Sequence, residues 1–253
     1  MFIPVGDDNR DRKITPLVNY LLLIVNILVF IFLQDYARDE QFVYTYSTVP
    51  LEILTGTDIA GSHGFENPIT GEISYITLGK SDMPVYFTLL TSMFMHGGWA
   101  HLLGNMLYLW ICGDNIENDL GHLRYLIFYL LCGIIAALSH VFSTYYLGQN
   151  LYIPSLGASG AISGVLGGYL LMHPRRKMHV WIFFGIVSLP AIIVVGLWFV
   201  FQIVNSMGSL GGQEGSGVAY AAHIGGFIAG LVLVKMFAQK RKPVLVEKRE
   251  SFW

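Results

Sequence analysis

Two small-residue settings in this chain hold side chains that could do chemistry together. The first is Gly157-Ala158-Ser159-Gly160-Ala161; the second, later in the chain, is Ala221-Ala222-His223-Ile224-Gly225-Gly226. A serine hydroxyl is a weak nucleophile until a neighbouring base takes its proton, and an imidazole does this well near neutral pH. The pair could therefore run nucleophilic acyl transfer, with Ser159 attacking and His223 relaying the proton. Such a reaction builds negative charge on the former carbonyl oxygen, which preorganised donors must stabilise. His101 and Asn105 are candidates, because a spacing of four places them on one face of a helix. The backbone N–H of Ser159 would be a further donor. Plainer roles are available for most of these groups. Ser159 could bond to its own backbone, the glycines could only pack helices, and His101 and Asn105 could hold a bundle together. His223 is harder to account for in that way, because ionisable groups within apolar spans are usually functional.

These residues need elements that position them, and composition says what kind. The 253 residues are 54% hydrophobic and 13% charged, with a mean hydropathy of +0.55. A soluble domain carries about 25% charged residues, so the composition is that of a membrane protein. The expected fold class is all-α, a polytopic membrane protein. Six spans of bilayer length can be read, at 17–34, 101–118, 125–146, 159–172, 180–205 and 218–237. Thr15-Pro16 suits the start of the first as a cap followed by proline. That span follows a mixture of acids and bases and lacks a small-residue cleavage site, so it reads as retained rather than as a signal peptide. The fourth is short and begins at Ser159, a recessed start at which water could reach the hydroxyl. Glycines at 160, 164 and 168, and at 226 and 230, form small-residue stripes that let the fourth and sixth spans approach closely.

Charge sets the orientation. Basic clusters lie at Arg10, Arg12 and Lys13, at Arg175, Arg176 and Lys177, and at Lys240, Arg241, Lys242, Lys248 and Arg249. The positive-inside rule puts all three in the cytoplasm, which requires an even number of spans. Residues 1–16 and 239–253 are then cytoplasmic, around a membrane domain at 17–238. The 35–95 connection lies outside and reads as an ordered, membrane-lapping element, with turns at Val49-Pro50, Thr55-Gly56 and Asn67-Pro68. The glycine- and serine-rich stretch 206–217 reads as mobile. No long basic stretch interleaved with aromatics appears, so nucleic acid is not an expected partner. Cys112 and Cys132 fall in apolar segments without metal-ligand spacing and read as buried packing residues.

The motifs resemble those of the rhomboid family of intramembrane serine proteases, of the six-helix bacterial type. The matching residues are Phe94-x-His96-x4-His101-x3-Asn105, Glu117-x3-Gly121-x2-Arg124-Tyr125, Gly157-x-Ser159-Gly160 and Ala222-His223-x2-Gly226-x3-Gly230. They fall in order across nearly the whole chain. The resemblance implies a six-transmembrane-helix bundle and a Ser159–His223 dyad without an acid. It implies an oxyanion site of His101, Asn105 and the Ser159 amide, and cleavage of peptide bonds in or beside the transmembrane segments of membrane-protein substrates. No metal and no cofactor is implied. No carboxylate lies in the fourth, fifth or sixth span, so His223 must be oriented by packing or by neutral partners. The setting implied is the bacterial inner membrane, with the active site open to the outer side. A rhomboid-like protein that binds transmembrane helices with weak or no catalysis is the alternative.

Among supporting residues, His96 is expected to brace the long loop by hydrogen bonding. Glu117, Gly121 and Arg124 flank a tight turn, as an ion pair or a backbone-capping set. Gly157, Gly160, Gly226 and Gly230 are expected to serve close packing. Trp198 and Phe201 suggest a lateral gate in the fifth span, or else aromatics at the lipid interface. His63, His122, His140, His173 and His179 show no convergent partners by spacing. Two departures from the family pattern stand out. Where many members carry Trp-Arg ahead of the first histidine, this chain reads Tyr86-Phe87-Thr88-Leu89-Leu90-Thr91. Where some carry a tyrosine one turn after the serine, it has Ser163. Any ring beside His223 must come from elsewhere.

Overall fold

The computed structural model of the protein describes residues 2–66, 73–210 and 220–239, without the side chains of 65, 66, 74 and 207–210. The chain runs β1 (Phe2–Asp7), α1 (Leu17–Leu28, continued by a π-helical turn, Val29–Leu33), α2 (Glu40–Thr45), α3 (Pro50–Thr55), β2 (Gly61–Glu66), β3 (Ile73–Leu78), α4 (Thr88–Thr91), α5 (Trp99–Leu120), α6 (His122–Tyr146), α7 (Ser159–Met172), β4 (Lys177–Ile182), β5 (Gly185–Pro190), α8 (Ala191–Leu210) and α9 (Tyr220–Phe237).

Helix α7 is the axis of the bundle. Every residue from Gly160 to Tyr169 is buried, as befits a helix that is apolar all round. Helices α5, α6 and α9 surround it. Glycine makes the closest of these contacts possible. A Cβ at Gly226 would lie 2.1 Å from the Gly160 carbonyl oxygen, and one at Gly230 would lie 1.9 Å from that of Gly164. The outer faces are apolar as well, with Ile24, Leu28, Ile127, Leu131, Ile192, Leu197, Ile228 and Val232 exposed. Among the described residues α6 and α9 are each long and apolar enough to cross a membrane; Leu17–Leu33, Ser159–Met172 and Ala191–Ser206 are shorter apolar helices.

Two expectations need correction. The fold is mostly helical rather than all-α, since it contains an antiparallel three-stranded sheet in the order β1-β4-β5 and a β2–β3 hairpin. The fifth apolar run, expected to be helical from 180, instead spends its first part in strands and becomes α8 only at Ala191. Met178 and Val180 point inward while Lys177 and Trp181 point outward, the two-residue alternation of a half-buried strand. Pro190 then disfavours helical conformation in the residue before it. A short apolar run cannot be told from a helix by hydropathy alone. Here the tie is broken by Phe2–Asp7, whose main chain pairs with β4.

The 35–95 connection is built from α2, α3, the β2–β3 hairpin and α4. Pro50 occupies the first turn of α3, and Gly56, at φ +69°, ends it. The connection is tied to the bundle by a Thr48–Ser155 backbone bridge and braced within itself by the Thr48 hydroxyl at 2.9 Å from Ser92 Oγ. Asn67-Pro68, residues 211–217 of the glycine-rich stretch, and the basic residues from Lys240 onward lie outside the described residues. Residues 206–210 of that stretch continue α8 as helix.

Candidate active site

The turn before α7 depends on Gly157, whose φ of +116° disfavours any side chain. Its N–H donates to the Ser92 carbonyl at 2.8 Å. The turn sets Ser159 as the first residue of α7, where backbone N–H groups have no partner within the helix. His223 lies in the first turn of α9. The glycine contacts between α7 and α9 bring the two together, with His223 Nε2 2.8 Å from Ser159 Oγ. The other ring nitrogen, Nδ1, lies 2.8 Å from Gln202 Oε1 on α8. Gln202 is 6% exposed. It is the only amide side chain between Ala191 and Val204 and stands one helical turn after Trp198, the one local signal that could mark it in the sequence. The Trp198 and His223 ring centroids are 6.1 Å apart, and those of Tyr220 and His223 are 6.4 Å apart, edge to face. Ser163 has no ring to offer; its hydroxyl donates to the Ser159 carbonyl at 2.6 Å.

His101 and Asn105 face the same turn from α5. The Gly97 N–H donates to His101 Nδ1 at 3.4 Å, which leaves Nε2 as the protonated nitrogen. A Cβ at Gly157 would lie 2.6 Å from His101 Nε2 and 3.6 Å from Asn105 Nδ2, so both donors flank the chain just ahead of Ser159. Asn105 Nδ2 is buried with no acceptor among the described residues. A buried orphan donor costs about 1–3 kcal/mol, and this one lines a cavity of about 470 Å³ shared with His101, Ser159, Trp198, Gln202 and His223. The arrangement offers a nucleophile, a base and converging N–H donors around one cavity. It contains no cluster of three or more His, Cys, Asp or Glu side chains suited to a metal among the described residues.

The remaining expected residues are placed as follows. His96 is buried, and its main chain, not its ring, braces the loop: Gln34 donates to its carbonyl at 2.8 Å and accepts from its N–H at 3.0 Å. Its ring nitrogens have no partner of ordinary geometry among the described residues, and the ring lies edge to face with His101 at 5.1 Å. Glu117 forms a capping set, not an ion pair with Arg124. It accepts from the N–H groups of Val18 and Asn19 at 2.9 and 2.7 Å, and from His122. The cap of α1 is thus a carboxylate from α5 and not Thr15. Arg124 reaches the Phe237 carbonyl at 3.5 Å. Gly121, at φ +78°, makes the α5–α6 turn. Gly160, Gly226 and Gly230 lie in the α7–α9 contact already described. Of the gate residues, Trp198 lines the cavity, whereas Phe201 is 60% exposed on the outer face of α8. Several histidines do have partners. His173 Nε2 lies 2.7 Å from Asp119, His179 Nδ1 lies 2.9 Å from Ser188 Oγ, and His63 stacks on Tyr152 at 4.5 Å. Cys112 and Cys132 are free and buried.

Comparison with known proteins agrees with the motif reading. A family model described as Rhomboid domain matches residues 84–240. Over 187 residues the chain is 34% identical to rhomboid protease GluP of Bacillus subtilis, covering 71% of this chain and 34% of that protein. Over 176 residues it is 33% identical to RHOMBOID-like protein 4 of Arabidopsis thaliana, covering 66% and 40%. Over 159 residues it is 29% identical to the mitochondrial Rhomboid protein 1 of Saccharomyces cerevisiae, covering 62% and 44%. The chain spans less than half the length of these relatives.

Proposed function

The chain belongs to the rhomboid family of integral membrane proteins, and on that premise we propose that it is a serine endopeptidase cutting peptide bonds in or near the transmembrane segments of membrane-protein substrates. The observation that carries the reading is the 2.8 Å separation of His223 Nε2 and Ser159 Oγ beside converging donors, of which Asn105 Nδ2 has no acceptor among the described residues. Ser159 Oγ attacks the scissile carbonyl carbon while its proton passes to His223 Nε2. The oxyanion is received by Asn105 Nδ2, His101 Nε2–H and the Ser159 N–H. The imidazolium then gives its proton to the departing amine, leaving an acyl-enzyme. Water, deprotonated by the same nitrogen, releases the second product and restores the serine.

The proposed topology has six spans: α1, α5, α6, α7, α8 and α9. Both termini, 1–16 and 239–253, are cytoplasmic, and the 35–95 connection and the cavity face the outer side of a bacterial inner membrane. The short α7 leaves Ser159 below that surface, where water can reach it. Substrate helices approach along α8, with Phe201 on its outer face.

The test is cleavage of a model single-span substrate by purified protein in detergent. The wild-type chain should cut it, and folded Ser159→Ala and His223→Ala variants should not. Equal background in all three across several substrates would favour a helix-binding protein without catalysis. In the same assay Phe201→Ala should raise turnover if opening along α8 limits the rate; unchanged turnover would remove α8 as the gate.

A further inference from the structure

We propose that Gln202 is a positioning residue for the base: it fixes the tautomer and ring plane of His223, so that the working unit is a Ser159–His223–Gln202 relay with a neutral third member. The inference rests on the reading of Ser159 and His223 as a proteolytic dyad and deepens it.

His223 Nε2 can take the Ser159 proton only if its lone pair faces the hydroxyl, so the ring proton must reside on Nδ1. In an apolar setting that N–H needs an acceptor, since a buried donor left unpaired is costly. Gln202 Oε1 lies 2.8 Å from Nδ1, on the far side of the ring from Ser159 Oγ at 2.8 Å. Without this acceptor the tautomer with Nε2 protonated becomes competitive, and that tautomer presents a donor to the serine where a base is required. The helices α7, α8 and α9 contain no carboxylate, and among the described residues it is Gln202 that holds this nitrogen. Among the described residues, the titratable groups that act on His223 from neighbouring elements are His101 on α5 and His140 on α6.

Ring orientation points the same way. Trp198, one turn before Gln202 on α8, and Tyr220, on α9, border the imidazole at 6.1 and 6.4 Å between centroids. Thus α8 supplies both a ring wall and the hydrogen-bond acceptor. When the imidazolium forms, Oε1 still accepts from Nδ1–H, but it contributes a dipole and not a full charge. Loss of Gln202 should therefore cost less than the roughly 10⁴-fold drop seen when a triad aspartate is replaced by asparagine.

The experiment compares the full-length wild-type chain with Gln202→Leu and Gln202→Glu in two measurements. One is cleavage of a single-span substrate as a function of pH. The other is the imidazole ¹⁵N spectrum of His223, identified by its loss in His223→Ala. Gln202→Leu should lower kcat by about tenfold to a hundredfold with little change in KM, and should shift the ring away from the Nδ1-protonated tautomer. Gln202→Glu should restore turnover, because its carboxylate accepts the same bond. Its charge favours the protonated ring, so the acid limb of its pH profile should move to higher pH. Wild-type kcat in Gln202→Leu with an unchanged ring spectrum would overturn the proposal, as would Gln202→Glu no better than Gln202→Leu. If the wild-type chain cuts nothing, the protease reading fails, and the ring spectra of wild type and Gln202→Leu still decide whether Gln202 sets the tautomer.

Discussion

An amide donor is rarely left unpaired inside a protein, and among the described residues Asn105 leaves one at the rim of the cavity that holds Ser159 and His223. Such a group is stabilised only when an oxygen arrives, and in acyl transfer the oxygen with most to gain is the one acquiring charge. Asn105→Ala should therefore lower kcat by about 10²–10³-fold with little change in KM, the usual cost of removing one such donor. Steady-state kinetics on the model substrate would measure it. A proportional rise in KM with kcat preserved would instead assign Asn105 to substrate binding. Ser159, His223, His101 and Asn105 were all legible as candidates in the sequence, because small or apolar surroundings make a polar side chain conspicuous. Gln202 was not, because nothing local says which of two helix faces an isolated amide presents.

At the scale of the element, the separation of Ser159 and His223 is set by how closely α7 and α9 can approach. Gly226 and Gly230 press their Cα atoms against the carbonyl oxygens of Gly160 and Gly164, at distances where a Cβ cannot exist without displacing backbone. Gly230→Ala should separate the two helices, destabilise the fold by about 1–3 kcal/mol and abolish cleavage. Gly196→Ala on α8 is the control, since a Cβ there meets nothing within 4 Å; it should unfold no earlier than wild type, as alanine is the better helix former. Thermal unfolding and cleavage, measured side by side, would show whether Gly230→Ala behaves differently from this control. The start of α1 carries the same lesson. Its N–H groups are capped by Glu117 from α5, a partner far away in sequence, whereas the local sequence points to Thr15.

Across the whole molecule the polar chemistry divides between two ends. The cavity that holds Ser159 and His223 and the 35–95 connection share one end. At the other, the N-terminal strand is fastened to α5, α7 and the segment before β4. There Asn115 donates to Asp7 at 2.8 Å, Tyr169 also donates to Asp7, Arg12 meets Asp114 at 2.7 Å, and Arg176 donates to the Asp8 carbonyl at 2.6 Å and to Asp11 at 2.8 Å. Burial pushes the Asp7 carboxyl up to about 6, against the lowering effect of the Tyr169 hydrogen bond. Its Oδ1 is buried without a partner among the described residues. Between its ordinary value of 3.8 and about 6 the folded protein holds more protons at Asp7 than the unfolded chain does. This group therefore lowers stability as pH rises through that window, and its penalty is complete above it. Asp7→Asn keeps the shape and removes the titration. Its stability relative to wild type should increase from pH 4 to pH 6 and then level off, as melting in detergent would show. A difference independent of pH would exclude the raised value.

The sequence by itself determined the membrane character, the family, the helical bundle and the candidate groups, because each is written in local composition or in motifs a few residues long. Even the limits of α7 could be read, since a serine–glycine start and a polar end bracket its apolar run. Only the tertiary structure decided that the run after Lys177 becomes strands, that Glu117 caps α1, that Phe201 turns outward while Trp198 lines the cavity, and that Gln202 reaches His223. Each of these depends on what a segment meets across the fold. Hydropathy records how much a residue gains by leaving water, but not which neighbour receives it, and a hydrogen bond between distant segments leaves no periodic trace in either one.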